Sequence, residues 1–190
     1  MCRWAAYIGQ PALLGEIISH PEHSLIDQSL HAEQSTYTTN ADGVGVAWYG
    51  AGPIPGVFRD VHPAWSDRNL KSVADHVSSR LFISHIRASS GAPTSRENTH
   101  PFTAERWSFV HNGAIGGFGD FRRHAEALIP DDLFRYREGA TDSEALFLIA
   151  LDEGLDADPH GAMLRAVARL QILSEEKGAT PHMRLAAALS

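Results

Sequence analysis

The chain has 190 residues, 43% of them hydrophobic and 21% charged, which suits one domain with a full apolar core and excludes disorder as the default. Its net charge of −7 is spread along the chain, arguing against a nucleic-acid binder, and no apolar run is long enough to cross a membrane. The single cysteine excludes an intrachain disulfide and fits a reducing compartment, and the N-terminus has no signal-peptide pattern, so the cytoplasm is the expected location.

In chain order, Arg3–Gly9 alternates aromatic and small residues and predicts a first strand, and the apolar stretch after Arg3 is broken at Gly9-Gln10-Pro11. Ser24–Leu30 predicts a helical turn, and Asn40-Ala41-Asp42-Gly43 is turn chemistry leading into a buried strand over Val44–Tyr49. Gly45 marks a close backbone approach within that strand, and the Gly/Pro cluster from Gly50 to Gly56 ends it. Ser66 is the expected N-cap of a helix that buries Leu70, Val73, Ala74 and Val77. A strand over Leu81–Ile86 gives out into a Gly/Pro/Ser/Thr-rich loop from Ser89 to Thr99. Trp107–His111 predicts another strand, and Asn112-Gly113 reads as a turn after it. Phe118, Phe121, Ala125 and Leu128 share one helical face, and Thr141 or Asp142 caps a second helix through Leu151. A third helix is expected over Ala162–Leu173, followed by a strand just starting at Arg184–Ser190. Strands, then helices, then a strand predict a layered α+β fold in a single domain over 1–190. The abrupt end adds the expectation of a C-terminally incomplete domain that lacks its last strands.

Chemistry concentrates at residue 2. An initiator Met before a small residue is commonly clipped, which would leave Cys2 with a thiol and a free α-amine together. The amine, with a reference pKa of about 7.7–8.0, is then a built-in base for a thiol of about 8.5. The ordinary alternative is a small buried hydrophobe. His85-Ile86-Arg87 at a strand end, Asn98-Thr99-His100-Pro101-Phe102 closing the loop, Asn112-Gly113, and Thr141-Asp142-Ser143-Glu144 opening a helix each have an ordinary explanation alone. No His-Glu-x-x-His pattern or close His/Asp cluster suggests a metal, and no Gly-rich phosphate loop supports ATP or NAD, so neither metal nor cofactor is expected. His20, His23 and His31 read as surface residues, and the tryptophans as core and pocket walls.

Taken together and in this order, Met1-Cys2-Arg3, Asn40 to Tyr49 and His111-Asn112-Gly113 resemble the class II glutamine amidotransferases. The glutaminase domain of that family belongs to the N-terminal-nucleophile hydrolases. The resemblance runs from residue 1 to about residue 150 and is closest to the small stand-alone branch. It implies a four-layer αββα sandwich. It also implies attack by Cys2 on the side-chain amide carbon of glutamine, with the α-amine relaying the proton and a thioester as intermediate. Asn112 through its side-chain NH₂ and Gly113 through its backbone N–H would form the oxyanion hole. Arg87 would hold the substrate α-carboxylate in a bidentate fork, and Asp142 the α-ammonium. Ser89-Ser90-Gly91 resembles the loop that closes over substrate, with Ser90 and Gly91 as contacts. Ala88 stands where many members carry an aromatic residue, which leaves the gating of that loop open. The expected ligand is glutamine or another γ-glutamyl small molecule, with ammonia passing to a separate synthetase or simply released. Relatives in the small branch also remove γ-glutamyl groups from thiol-type conjugates. A catalytically silent γ-glutamyl-binding subunit is the remaining alternative.

Overall fold

The computed structural model describes residues 2–30, 41–88 and 92–190. The chain divides into two compact units, one formed by Met1–Asn112 with Ala187–Ser190 and the other by Gly113–Ala186. The elements follow in chain order: β1 (Arg3–Leu13), α1 (Gly15–Ile18), α2 (Leu25–Leu30), β2 (Val44–Trp48), β3 (Gly56–Asp60), α3 (Arg68–His76), β4 (Ser78–Ile86), β5 (Phe102–Ala104), β6 (Trp107–Ile115), α4 (Phe118–Glu126), α5 (Asp131–Phe134), α6 (Asp142–Asp152), α7 (Pro159–Glu176) and β7 (Met183–Leu189). The α+β class expected from the sequence is found, with antiparallel pairing in both sheets.

In the first unit, a four-stranded sheet has the order β1-β4-β2-β3. Side chains alternate across it, as pleated strands require. Val44 and Val46 of β2 and Phe82 and Ile86 of β4 join Leu14, Ile18, Leu25, Leu70 and Ala74 of the α1–α3 side in one buried cluster. The opposite face carries Ala47 and Ile83, which meet Val110 of β6 with Trp4 and Ala188 packed against them. Alternation from Ile83 puts His85 on that second face and carries Arg87, just past the end of β4, to the same side.

Several sequence-based expectations change at this level. β1 does not break at Gly9-Gln10-Pro11 but runs on to Leu13, with a register shift between Ile8 and Ala12. Pro11 lacks an N–H to give to the ladder, and the irregularity on this edge strand accommodates it. Asp67, not Ser66, caps α3, accepting from the N–H groups of Asn69 and Leu70. The Ser66 hydroxyl donates instead to the Pro63 carbonyl, 3.1 Å away. β3 follows the Gly/Pro cluster and pairs with β2, so the cluster joins two strands of a hairpin rather than ending one.

Asn112 and Gly113 are not a turn; both lie inside β6. The second sheet has the order β5-β6-β7. Ser108 and Ser190 exchange both backbone hydrogen bonds, at 2.7 and 3.0 Å, and the Gly116 N–H donates to the His182 carbonyl at 2.8 Å. This antiparallel ladder continues past Asn112-Gly113, so the local turn preference gives way to tertiary pairing.

In the second unit, α7 buries Ala162, Ala166, Leu170 and Ser174, a strict four-residue stripe, and begins at Asp158, whose side chain caps it. The Ser174 hydroxyl hydrogen-bonds the carbonyl of Gly116 at 2.7 Å and that of His182 at 3.1 Å. Most of α6 is buried, and it starts at Thr141, whose hydroxyl accepts from the Glu144 N–H. Among the described residues, no helix is long and apolar enough to cross a membrane.

Candidate active site

The register of β1 against β4 pairs Trp4 with His85 and Arg3 with Ile86, so one step further Cys2 comes opposite Arg87. The Cys2 thiol meets the backbone of Ala88, with Sγ 3.3 Å from both its carbonyl oxygen and its nitrogen. Burial pushes the thiol above its ordinary pKa, while the Ala88 backbone and the Arg87 cation pull it back toward the thiolate. Met1, on which the α-amine argument turns, lies outside the described residues.

Arg87 is only 5% exposed. Its backbone is clamped by the motif that begins β2: its N–H donates to the Gly43 carbonyl at 2.8 Å, and the Asp42 N–H donates to its carbonyl at 3.3 Å. Nη2 of its guanidinium donates to the carbonyls of Ala92 and Pro93, at 2.9 and 3.2 Å. Nη1 is buried and has no hydrogen-bond partner among the described residues. Burial lowers its pKa, against the Cys2 and Asp42 charges, which favour the cation. A buried guanidinium edge without an acceptor suits an anionic ligand group, because an unmade hydrogen bond at a buried charge is costly.

The loop after Arg87 is held in place. Arg96 reaches Asp60 at the end of β3, with Nη2 2.7 Å from Oδ2. Asp60 is buried, which by itself would raise its pKa, yet the bonds from Arg96 and His62 hold the carboxyl well below the usual carboxylate range. The glycines of the β2 motif admit this loop: a Cβ on Gly43 would lie 2.9 Å from Thr99 Oγ1, and one on Gly45 would collide with the His100 carbonyl oxygen. Two motifs widely separated in sequence, Asn40–Tyr49 and Asn98–Phe102, thus meet backbone to backbone.

Beside Arg87 sits a layer of buried imidazoles. The His85 and His100 rings are 4.3 Å apart between centroids, and His100 lies 4.4 Å from the Phe102 ring. Among the described residues no nitrogen of these two rings has a close hydrogen-bond partner, although the His111 backbone favours the charged form of His85. Burial lowers the pKa of His85 to about 3, helped by His111 and Arg87, and lowers that of His100 well below its ordinary value. Both rings are therefore neutral at physiological pH.

Asn112 leaves β6 with its side-chain NH₂ donating to the Cys2 carbonyl, 2.9 Å away. That bond engages one of the two N–H groups of the amide. Gly113 follows it in the strand and is exposed. Cys2, Arg87 and Asn112 are brought together within the first unit. Asp142 belongs to the second unit, where Oδ2 accepts from the Ile115 N–H at 2.8 Å and Oδ1 from the Ser143 N–H at 2.8 Å. Ser90 and Gly91, expected as loop contacts, lie outside the described residues. Sequence reasoning did not single out Asp42, read only as part of a turn, or the backbone of Ala88. The signal for Asp42 was the spacing Asp42-Gly43-x-Gly45, which sets a carboxylate two residues before a close-packed strand. Among the described residues, no group of three or more His, Cys, Asp or Glu side chains is placed to hold a metal ion.

The family model for class II glutamine amidotransferases matches residues 11–180. The chain is 35% identical over 173 residues to the probable glutamine amidotransferase DUG3 of Saccharomyces cerevisiae, spanning 84% of this chain and 48% of that protein. It is 28% identical over 182 residues to the gamma-glutamyl-hercynylcysteine sulfoxide hydrolase of Mycolicibacterium smegmatis, spanning 92% of this chain and 74% of the relative. Among solved structures, a glutamine aminotransferase class-II domain protein from Silicibacter pomeroyi matches with a TM-score of 0.78 and 49% identity, over 98% of this chain and 72% of that one. The glutamine phosphoribosylpyrophosphate amidotransferase from B. subtilis, 14% identical, shares the fold with a TM-score of 0.59 over 100% of this chain and 34% of its own. The chain thus spans about half the length of the yeast relative.

Proposed function

The chain belongs to the class II glutamine amidotransferases, and we propose that it hydrolyses the side-chain amide of glutamine through a thioester on Cys2. The observation that carries this reading is the trio of a thiol at residue 2, a buried guanidinium with a free edge beside it, and a side-chain amide donor on the Cys2 backbone. Arg87 anchors the α-carboxylate, which aims the γ-carbonyl at Sγ. The thiolate adds to that carbon, and Asn112 Nδ2 with the Gly113 N–H stabilises the tetrahedral oxyanion. The Cys2 α-amine, freed by loss of Met1, takes the thiol proton and returns it to the leaving nitrogen, so that collapse breaks the C–N bond and releases ammonia; water then cleaves the thioester, giving glutamate and the thiol. Asp142 takes the α-ammonium of the substrate. The ammonia goes to a separate acceptor enzyme or to solvent.

A second reading is favoured by a particular observation. A relative matched over 92% of this chain is named as a gamma-glutamyl-hercynylcysteine sulfoxide hydrolase. Removal of a γ-glutamyl group from a thiol-type conjugate uses the same Cys2 chemistry with a different leaving amine, because Arg87 and Asp142 address only the shared γ-glutamyl end. Glutamate release is therefore measured from glutamine and from a panel of γ-glutamyl amides, with Cys2→Ala as control and intact mass to establish removal of Met1. Release from glutamine that disappears in Cys2→Ala supports the first reading. Release confined to conjugates supports the second, and no release from any of them by folded, processed protein overturns both in favour of a silent γ-glutamyl-binding subunit.

A further inference from the structure

In the second unit, the helix start that carries Asp142 is built around a buried ion pair. Arg137 and Glu144 side chains are each 3% exposed, and Arg137 Nη1 donates to Glu144 Oε2 at 2.7 Å. The same Nη1 donates to the Thr141 carbonyl at 2.8 Å. The Glu144 carboxylate also collects the N–H groups of Glu138 and Gly139, both at 2.9 Å. On its other side, Arg137 donates through Nη2 to Glu126 Oε1 at 3.0 Å, an oxygen that Arg122 also reaches at 2.7 Å.

The N–H groups of Glu138 and Gly139 and the carbonyl of Thr141 are thereby tied to one carboxylate or one guanidinium. The geometry differs from an ordinary capping box. Thr141 caps the Glu144 N–H at 3.2 Å, and the Glu144 carboxylate turns into the preceding loop, onto the Glu138 and Gly139 N–H groups. Around it, Ala145 to Ala150 of α6 are apolar and buried. A charge pair in such surroundings is a poor source of stability, because desolvation offsets most of its attraction and apolar residues of similar size do as well or better. Burial accordingly raises the Glu144 pKa, against the backbone donors and Arg137. What the pair does supply is a fixed path for residues 137–141, and residue 142 is the next in line. Asp142 is then held from its far side by the Ile115 N–H of β6.

We propose that Arg137 and Glu144 are positioning residues for substrate selection: their buried pair fixes the turn ahead of α6 and so sets the Asp142 carboxylate where it meets the α-ammonium of a γ-glutamyl substrate. The inference rests on the reading of Asp142 given under the proposed function. Neither residue touches substrate; both act through Asp142.

The test compares γ-glutamyl p-nitroanilide with glutaryl p-nitroanilide, which differ only in the α-ammonium group. Steady-state kinetics are measured for the parent chain, Asp142→Asn, Glu144→Gln and Arg137→Lys, each checked for folding by circular dichroism and thermal melting. Asp142→Asn should raise KM for the γ-glutamyl compound about tenfold or more and leave the glutaryl compound within about twofold. Glu144→Gln and Arg137→Lys should show the same selective rise at a smaller size, with kcat within about threefold. A merely structural pair would instead lower activity on both substrates in parallel. If Asp142→Asn discriminates but the other two affect both substrates alike, or neither, the positioning role is overturned while the Asp142 reading stands. If Asp142→Asn itself fails to discriminate, or the parent turns over neither compound, the reading of the site fails and takes the inference with it. Loss of folding in both Glu144→Gln and Arg137→Lys would also overturn it, because the pair would then serve stability.

Discussion

His85 makes a quantitative test of how the site face is built. Its ring is fully buried, stacks on His100 at 4.3 Å, and has a pKa lowered to about 3 by burial and by the nearby charges of His111 and Arg87. Titratable groups facing this layer are Arg87 just past β4, His111 of β6 and Arg59 of β3, which acts on His100. In the unfolded chain the ring titrates near its ordinary value of about 6.5. The folded pKa is the lower one, so between these two values the unfolded state binds more protons and stability falls as pH falls. Down to pH 5, the loss from this ring is about 2 kcal/mol, and it approaches its limit only near pH 3. Against a domain stability of about 5–15 kcal/mol, that is easily measured. The perturbation is His85→Leu, which removes the titrating ring and puts an apolar side chain in its fully buried place. Urea unfolding at pH 8, 6 and 5 should show the parent losing about 1 M more of its midpoint over that range than the variant, for an m-value of about 2 kcal/mol/M. Equal pH sensitivity in the two proteins would refute the argument that a buried neutral imidazole lies beside Arg87.

Three further predictions address the site directly. Asn112→Ala removes the side-chain donor near Cys2 and should lower kcat by about 10²–10³ with a small change in KM; a change in KM alone would remove Asn112 from the oxyanion hole. Arg87→Lys keeps the charge but gives up the fork that serves Ala92, Pro93 and the free Nη1 edge, so KM should rise about 10–100-fold, and an unchanged KM would count against carboxylate binding there. Gly45→Ala drives a Cβ into the His100 carbonyl and to 3.0 Å from both Phe58 O and Pro101 Cδ, which should cost about 1–3 kcal/mol and lower Tm by several degrees. Gly50→Ala, with nothing within 4 Å, is the matched control and should melt like the parent.

Much of the secondary structure was legible along the chain because it rests on local chemistry. Short apolar runs marked β2 and β4, and the helix expected over Ala162–Leu173 lies within α7. The Thr141 cap announced α6, although Asp67 rather than its neighbour Ser66 proved to cap α3. Strand β5, three residues long, has too little sequence to carry a periodic signal.

The reactive parts of the candidate site are legible from residue type alone: a thiol at residue 2, an arginine where a strand gives out, an asparagine before a glycine, and an aspartate at a helix start. How they are used depends on contacts between distant segments. Asn112-Gly113 is strand rather than turn because β7 supplies a ladder that outweighs a local preference. Cys2 faces Arg87 because of the β1–β4 register, a pairing between segments more than eighty residues apart. The neutrality of His85 and the roles of Arg137 and Glu144 are set by burial and by partners distant in sequence, which residue identity does not encode.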